Sequence, residues 1–198
     1  AKPKYLNAQE VPAGENASAV CLLEQPYCKN KSLKVSDFIA EKVGSIKENL
    51  GVRRFAIFSS GLVHSYIHMG AKLGVLLEIE GDAGLAKNAD YVEFSKDIAM
   101  QIAAANPLCI ERSEVPADLI EKEKEIYRAQ MADQKKPAEI IEKIIVGKLN
   151  KFYEERCLTE QAFVKDPNVK VNQYIAEKAK KIGSSIKIKR FVRFEIGK

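Results

Sequence analysis

Cys21-Leu22-Leu23-Glu24-Gln25 returns 136 positions later as Cys157-Leu158-Thr159-Glu160-Gln161, and that echo decides the fold. The match runs without gaps from Cys21–Phe58 to Cys157–Phe194, with about 15 of 38 positions identical. Phe38-Ile39-Ala40-Glu41-Lys42 faces Tyr174-Ile175-Ala176-Glu177-Lys178, and Arg54-Phe55-Ala56-Ile57-Phe58 faces Arg190-Phe191-Val192-Arg193-Phe194. A second match, at an offset of 104, sets Glu10-Val11-Pro12-Ala13 against Glu114-Val115-Pro116-Ala117. The offsets differ by 32 residues, so the second copy carries an insertion between Ala117 and Cys157. One duplicated unit with an extra element in one copy is expected, not a long solenoid. Copy one has no counterpart of residues 62–104 ahead of it and the chain has no initiator Met, which reads as a first copy cut at its start.

Each copy reads as helix then strand. Val35–Leu50 spaces Val35, Phe38, Ile39, Val43 and Ile46 helically, with Ser36 or Asp37 as caps. Gly51 closes that helix, and the apolar run Val52–Phe58 predicts a strand. Val171–Ile182, Gly183 and Ile186–Ile196 repeat the unit. Between the copies, Val63–His68 and Lys72–Glu80 flank Met69-Gly70-Ala71 and predict a β-hairpin. Tyr91–Ala105 predicts a helix stopped by Pro107.

The inserted element predicts two helices, Ala117–Gln134 and Pro137–Glu155, turning at Gln134-Lys135-Lys136. Leu119, Ile120, Lys124, Tyr127 and Met131 are expected to face Ile140, Ile141, Ile144, Ile145 and Leu149, with Glu and Lys outside. That pattern is a protruding antiparallel coiled-coil hairpin. The class is therefore α+β: two related subdomains with small antiparallel sheets and packed helices, plus the hairpin. Residues 1–60 form the cut N-terminal core subdomain; residues 61–198 form the C-terminal one, with hairpin 117–155 inserted.

The chemistry is sparse. Of 198 residues, 46% are hydrophobic and 30% charged, enough for a buried core, and no stretch of about 18 apolar residues exists to span a membrane. A net charge of +5 is a mild bias, far from the Lys/Arg stripe of a nucleic-acid binder. Ala1-Lys2-Pro3-Lys4-Tyr5 does not read as a signal peptide. Cys21, Cys28, Cys109 and Cys157 contain no Cys-x-x-Cys pair and read as free thiols in a reducing cytoplasm. No phosphate-cradling glycine motif or nucleophile elbow occurs. His64 and His68 share a strand face, but two histidines without a third ligand make a weak metal site, and contact with a partner is the better reading. The chain reads as a binding protein, not an enzyme, with no cofactor.

The run His64-Ser65-Tyr66-Ile67-His68-Met69-Gly70-Ala71-Lys72-Leu73-Gly74-Val75-Leu76 resembles the Ser-Tyr-x-His hairpin of the elongation factor Ts family. The resemblance continues through Lys96–Ala104, Val115-Pro116, Lys136–Ile144, Lys148–Tyr153, Cys157–Pro167 and Arg190–Glu195, covering nearly the whole chain. It implies a guanine-nucleotide exchange factor for elongation factor Tu that promotes GDP release during translation elongation. It also implies that His68, surrounded by Tyr66, Met69 and Gly70, meets the partner's distal domain. For Tyr66 sheet packing, and for Gly70 a turn requirement, remain equal alternatives. The family's Thr-Asp-Phe-Val motif is expected ahead of residue 1; the second copy's equivalent, Asp82-Ala83-Gly84-Leu85, lacks the Asp-Phe pair. Weak binding and poor exchange by this chain alone are the resulting expectation. The alternative is a helical-hairpin interaction module without exchange activity.

Overall fold

A computed structural model describes residues 2–68, 70–131 and 137–197. The chain divides into two compact units, residues 1–57 and 58–198.

The first unit contains α1 (Ala17–Val20), the short antiparallel pair β1 (Pro26–Tyr27) and β2 (Asn30–Lys34), and α2 (Val35–Ile46). The second contains β3 (Leu62–His68), β4 (Leu73–Glu80), α3 (Ala89–Ala105), α4 (Ala117–Met131), α5 (Ala138–Arg156), β5 (Ala162–Phe163), β6 (Asp166–Lys170), α6 (Val171–Ile182) and β7 (Lys187–Glu195). β3, β4 and β7 form an antiparallel sheet with β4 in the middle, and the fold is α+β.

The sequence repeat is also a repeat of bonds. Tyr5 bridges Cys21 in the first unit as Cys109 bridges Cys157 in the second. The Leu6 N–H donates to Glu10 at 3.2 Å, and the Ile110 N–H donates to Glu114 at 2.8 Å. Gln25 donates its side-chain amide to the Ala19 carbonyl at 2.9 Å; Gln161 does the same to Glu155 at 2.8 Å. Asp37 accepts the Lys34 N–H at the start of α2, and Gln173 accepts the Lys170 N–H at the start of α6, satisfying a donor that a helix start leaves open. Tyr27 stacks on Phe38 at 4.1 Å between centroids, and Phe163 on Tyr174 at 4.2 Å.

The core of the second unit is α3 against the sheet. Tyr91, Phe94, Ile98 and Ile102 recur every three or four residues and are all buried, so one helical stripe meets Val75, Leu77 and Ile79 of β4. Burial of each such side chain contributes about 1.5–3 kcal/mol. Asn88 caps the helix through the Tyr91 N–H, and Asn106 ends it in the left-handed region ahead of Pro107. Asp97 and Gln101, from the family-like run 96–104, point inward as well. Asp97 accepts the Tyr174 hydroxyl at 2.7 Å and pairs with Lys165 at 2.6 Å. Gln101 donates to Gln161 and to the Ala162 carbonyl and accepts the Val164 N–H. Those two residues hold α3 to the β5–β6 pair and α6.

α4 and α5 pack side by side and antiparallel: Arg128 pairs with Glu142, and Lys148 reaches back to Gln130 and lies over Tyr127. The buried stripe of α5 is Ile145, Leu149 and Phe152, with Ile141 and Ile144 half-buried. Ile140, expected to face α4, is 45% exposed; it lies about 100° round the helix from Ile141. α4 ends at Met131, and the expected turn at Gln134-Lys135-Lys136 lies outside the described residues. Among the described residues, no helix is long and apolar enough to cross a membrane.

Two elements depart from expectation. The helix expected at Val35–Leu50 ends at Ile46, closed by Lys47 in the left-handed region and not by Gly51. Val52–Phe58 is not a strand; residues 51–59 carry no ladder pairing. The repeat equates this run with β7, which pairs along its length with β4. Among the described residues no strand stands to this run as β4 stands to β7, and strand propensity without a neighbouring strand does not build a ladder.

Candidate functional site

The β3–β4 hairpin presents the residues singled out in the sequence. Inward and outward positions alternate along β3: Leu62, His64 and Tyr66 are half-buried, whereas Val63, Ser65 and Ile67 are exposed. His68 continues the inward register but, at the end of the strand, is exposed. Pairing holds as far as His68 opposite Leu73, leaving a four-residue tip. The Lys72 carbonyl accepts the Ile196 N–H at 2.8 Å, so the tip is backed by the chain leaving β7.

Gly70 (φ 62°) and Ala71 (φ 69°) both occupy the left-handed region. A Cβ on Gly70 would touch nothing, so glycine is favoured there by backbone conformation, not by space. Tyr66 packs its ring against the core, and its hydroxyl lies 3.0 Å from His68 Nδ1. The two rings stand nearly parallel, 17° apart with centroids at 5.9 Å. Tyr66 thus serves both alternatives: its ring packs on the sheet, and its hydroxyl touches the exposed imidazole. Met69 lies outside the described residues.

His64 shares the face of His68 but not its surroundings. It lines a shallow cavity of about 290 Å³ with Gly61, Tyr91 and Ser95. Burial, and then the charge of Lys96, push its imidazole below the usual range, favouring the neutral ring. Among the described residues, no three His, Cys, Asp or Glu side chains cluster as metal ligands.

Sequence reasoning missed two features. Ile67, 63% exposed, projects beside the tip on the opposite face; the alternation of β3 could have placed it there. Glu78 is fully buried on β4, and Lys189 (2.9 Å), Arg190 (2.6 Å) and Ser60 (3.0 Å) surround its carboxylate. The Lys189 hydrogen bond is the main cause holding that carboxyl down to about 2, with Arg190 and Ser60 adding to it against the opposing effect of burial. Pairing of β4 with β7 brings these charges together, and no local spacing announces it. The chain has one Asp-Phe pair, Asp37-Phe38, and the fold uses both side chains: Asp37 caps α2 and Phe38 stacks on Tyr27.

A family model described as Elongation factor TS matches residues 32–198, which include the whole hairpin. The chain is 42% identical over 178 residues to the elongation factor Ts of Clostridium botulinum (strain Loch Maree / Type A3), covering 89% of this chain and 57% of that protein. It is 49% identical over 140 residues to that of Desulfosudis oleivorans, covering 70% and 71%. To that of Clostridium kluyveri it is 38% identical over 193 residues, covering 96% and 62%. The chain therefore spans less than two thirds of the length of the Clostridium relatives.

Proposed function

The chain belongs to the elongation factor Ts family, and from that premise we propose that it acts in guanine-nucleotide exchange on elongation factor Tu during translation elongation, with the β3–β4 tip as a partner contact. A protein that binds the nucleotide-free GTPase better than the GDP form must weaken GDP by the same factor that GDP weakens it. Binding energy from the tip drives the exchange, and the chain itself breaks no covalent bond. Loss of GDP follows where the partner's Mg²⁺ and phosphate loop are disturbed, because those charges hold the diphosphate.

The observation that carries this reading is the exposed His68 on a hairpin whose base is packed by α3, inside the stretch the family shares. His68, Tyr66 and Gly70 are proposed as contact residues, with Met69 beside them. The Thr-Asp-Phe-Val run implied by the resemblance is not among the 198 residues, so slow GDP release by this chain alone is part of the proposal. Release of fluorescent GDP from elongation factor Tu tests it: slow, saturable acceleration that His68→Ala abolishes is expected, and an identical rate with both chains would refute it.

A second reading takes the α4–α5 pair as an interaction module without exchange activity. It draws on Ile126, Ile140 and Val146, which are 49%, 45% and 56% exposed. The Leu108 N–H donates to the Arg156 carbonyl at 2.8 Å, so the two ends of this element lie together and residues 119–153 can be replaced by a short glycine-serine link. Exchange predicts that binding to elongation factor Tu partly survives the replacement; the module reading predicts that it disappears.

A further inference from the structure

We infer that Tyr66 is a positioning residue: it fixes His68 in the tautomer protonated on Nε2, so the tip offers its partner a hydrogen-bond donor and selects an oxygen acceptor. The inference rests on the exchange-factor reading for the partner's identity, but not for the state of the ring.

Strand geometry places the two residues together. Positions 66 and 68 share a face, and the pairing of β3 with β4 is regular from Leu62 to His68. Tyr66 is held by packing against the core, whereas the His68 ring stands in solvent. The exposed ring therefore takes its orientation from the half-buried one, through the 3.0 Å contact at Nδ1.

The sense of that hydrogen bond follows from chemistry. A phenol O–H is a far better proton donor than a neutral imidazole N–H, and an unprotonated imidazole nitrogen is a better acceptor than a phenol oxygen. Tyr66 Oη donates and His68 Nδ1 accepts. A neutral ring carries one proton, so it sits on Nε2, the nitrogen farther from the backbone. A partner meeting that atom must supply a carbonyl or carboxylate oxygen; another donor would be repelled.

Nitrogen-15 spectra of the His68 ring, recorded on the free chain under alkaline conditions, read the tautomer with no partner present. Dominance of the Nε2–H form in the parent, with a shift toward the mixed population of free imidazole in Tyr66→Phe, is expected. An Nδ1–H form, or populations unchanged by Tyr66→Phe, would overturn the inference. Binding of nucleotide-free elongation factor Tu supplies the second arm. The Gln side-chain amide nitrogen stands near Nε2 and that of Asn near Nδ1, so His68→Gln should bind within about threefold of the parent and His68→Asn about tenfold more weakly. Tyr66→Phe should weaken binding about fivefold in the parent and by clearly less in the His68→Gln background, where no imidazole remains to orient; equal losses in both backgrounds would leave Tyr66 a contact only and overturn its positioning role. Equal binding by His68→Asn and His68→Gln would contradict the assignment. A fall in affinity on raising the salt concentration would identify the acceptor as a carboxylate, and insensitivity would identify a carbonyl. Failure of the parent chain to bind would overturn the exchange-factor reading, and the spectra would then decide the tautomer alone.

Discussion

Residues 21–47 and 157–183 share their strand pair, helix, cap and aromatic stack, yet the first unit has almost no interior and the second has a full one. None of the α2 residues is buried, whereas Val171 and Tyr174 of α6 are. Phe38 and Tyr174 make the same aromatic stack, but only Tyr174 continues onto Phe94 and Asp97 of α3. Arg54-Phe55 and Arg190-Phe191 are the same dipeptide in two backbones, one outside the strands and one in β7. Local sequence fixes turns, caps and short helices; neighbours decide which of them become a core.

The largest effect should come from the aromatic pair. Tyr174→Ala removes a buried ring and leaves the Asp97 carboxylate without its hydroxyl donor. Unfolding of the second unit in urea should be easier by about 3–5 kcal/mol, against about 1 kcal/mol for Phe38→Ala in the first. Equal losses would break the comparison.

Acid should separate the units next. Glu78 titrates near 2 in the folded chain against an ordinary 4.5. A depressed carboxyl contributes stability that is complete above the unfolded value and is lost as pH falls from there through the folded one. The stability of residues 58–198 against urea should therefore fall between about pH 4.5 and pH 2, and Glu78→Gln should flatten that dependence. Glu10 in the first unit is also held down, by its hydrogen bonds to Asn7 and Leu6, but it stands exposed and should matter less.

The smallest effect sharpens the likeness. α2 ends on Lys47 at φ 60°, and α6 ends at the matching position on Gly183 at φ 73°. Glycine adopts that conformation freely and lysine does so at a cost. Lys47→Gly should stabilise the first unit by about 0.5–1 kcal/mol and Gly183→Lys should destabilise the second by about 1 kcal/mol, both read from thermal midpoints.

Much of this was legible in the sequence because periodicity reports local structure. The helix expected at Val171–Ile182 has those bounds in the structure, and the hairpin falls within a residue of its expected limits. β1 and β5 went unread because two residues are too few to alternate. The expected strand at Val52–Phe58 failed because propensity cannot supply a partner. At the site, strand alternation put His64 and His68 on one face, but not the Tyr66 contact or the buried charges around Glu78, which need three dimensions.

The most direct test is calorimetric titration of nucleotide-free elongation factor Tu with the chain and with His68→Ala, side by side. Saturable binding that weakens by about tenfold or more in the variant is predicted. No binding by the parent, or the same affinity for both, would contradict the account.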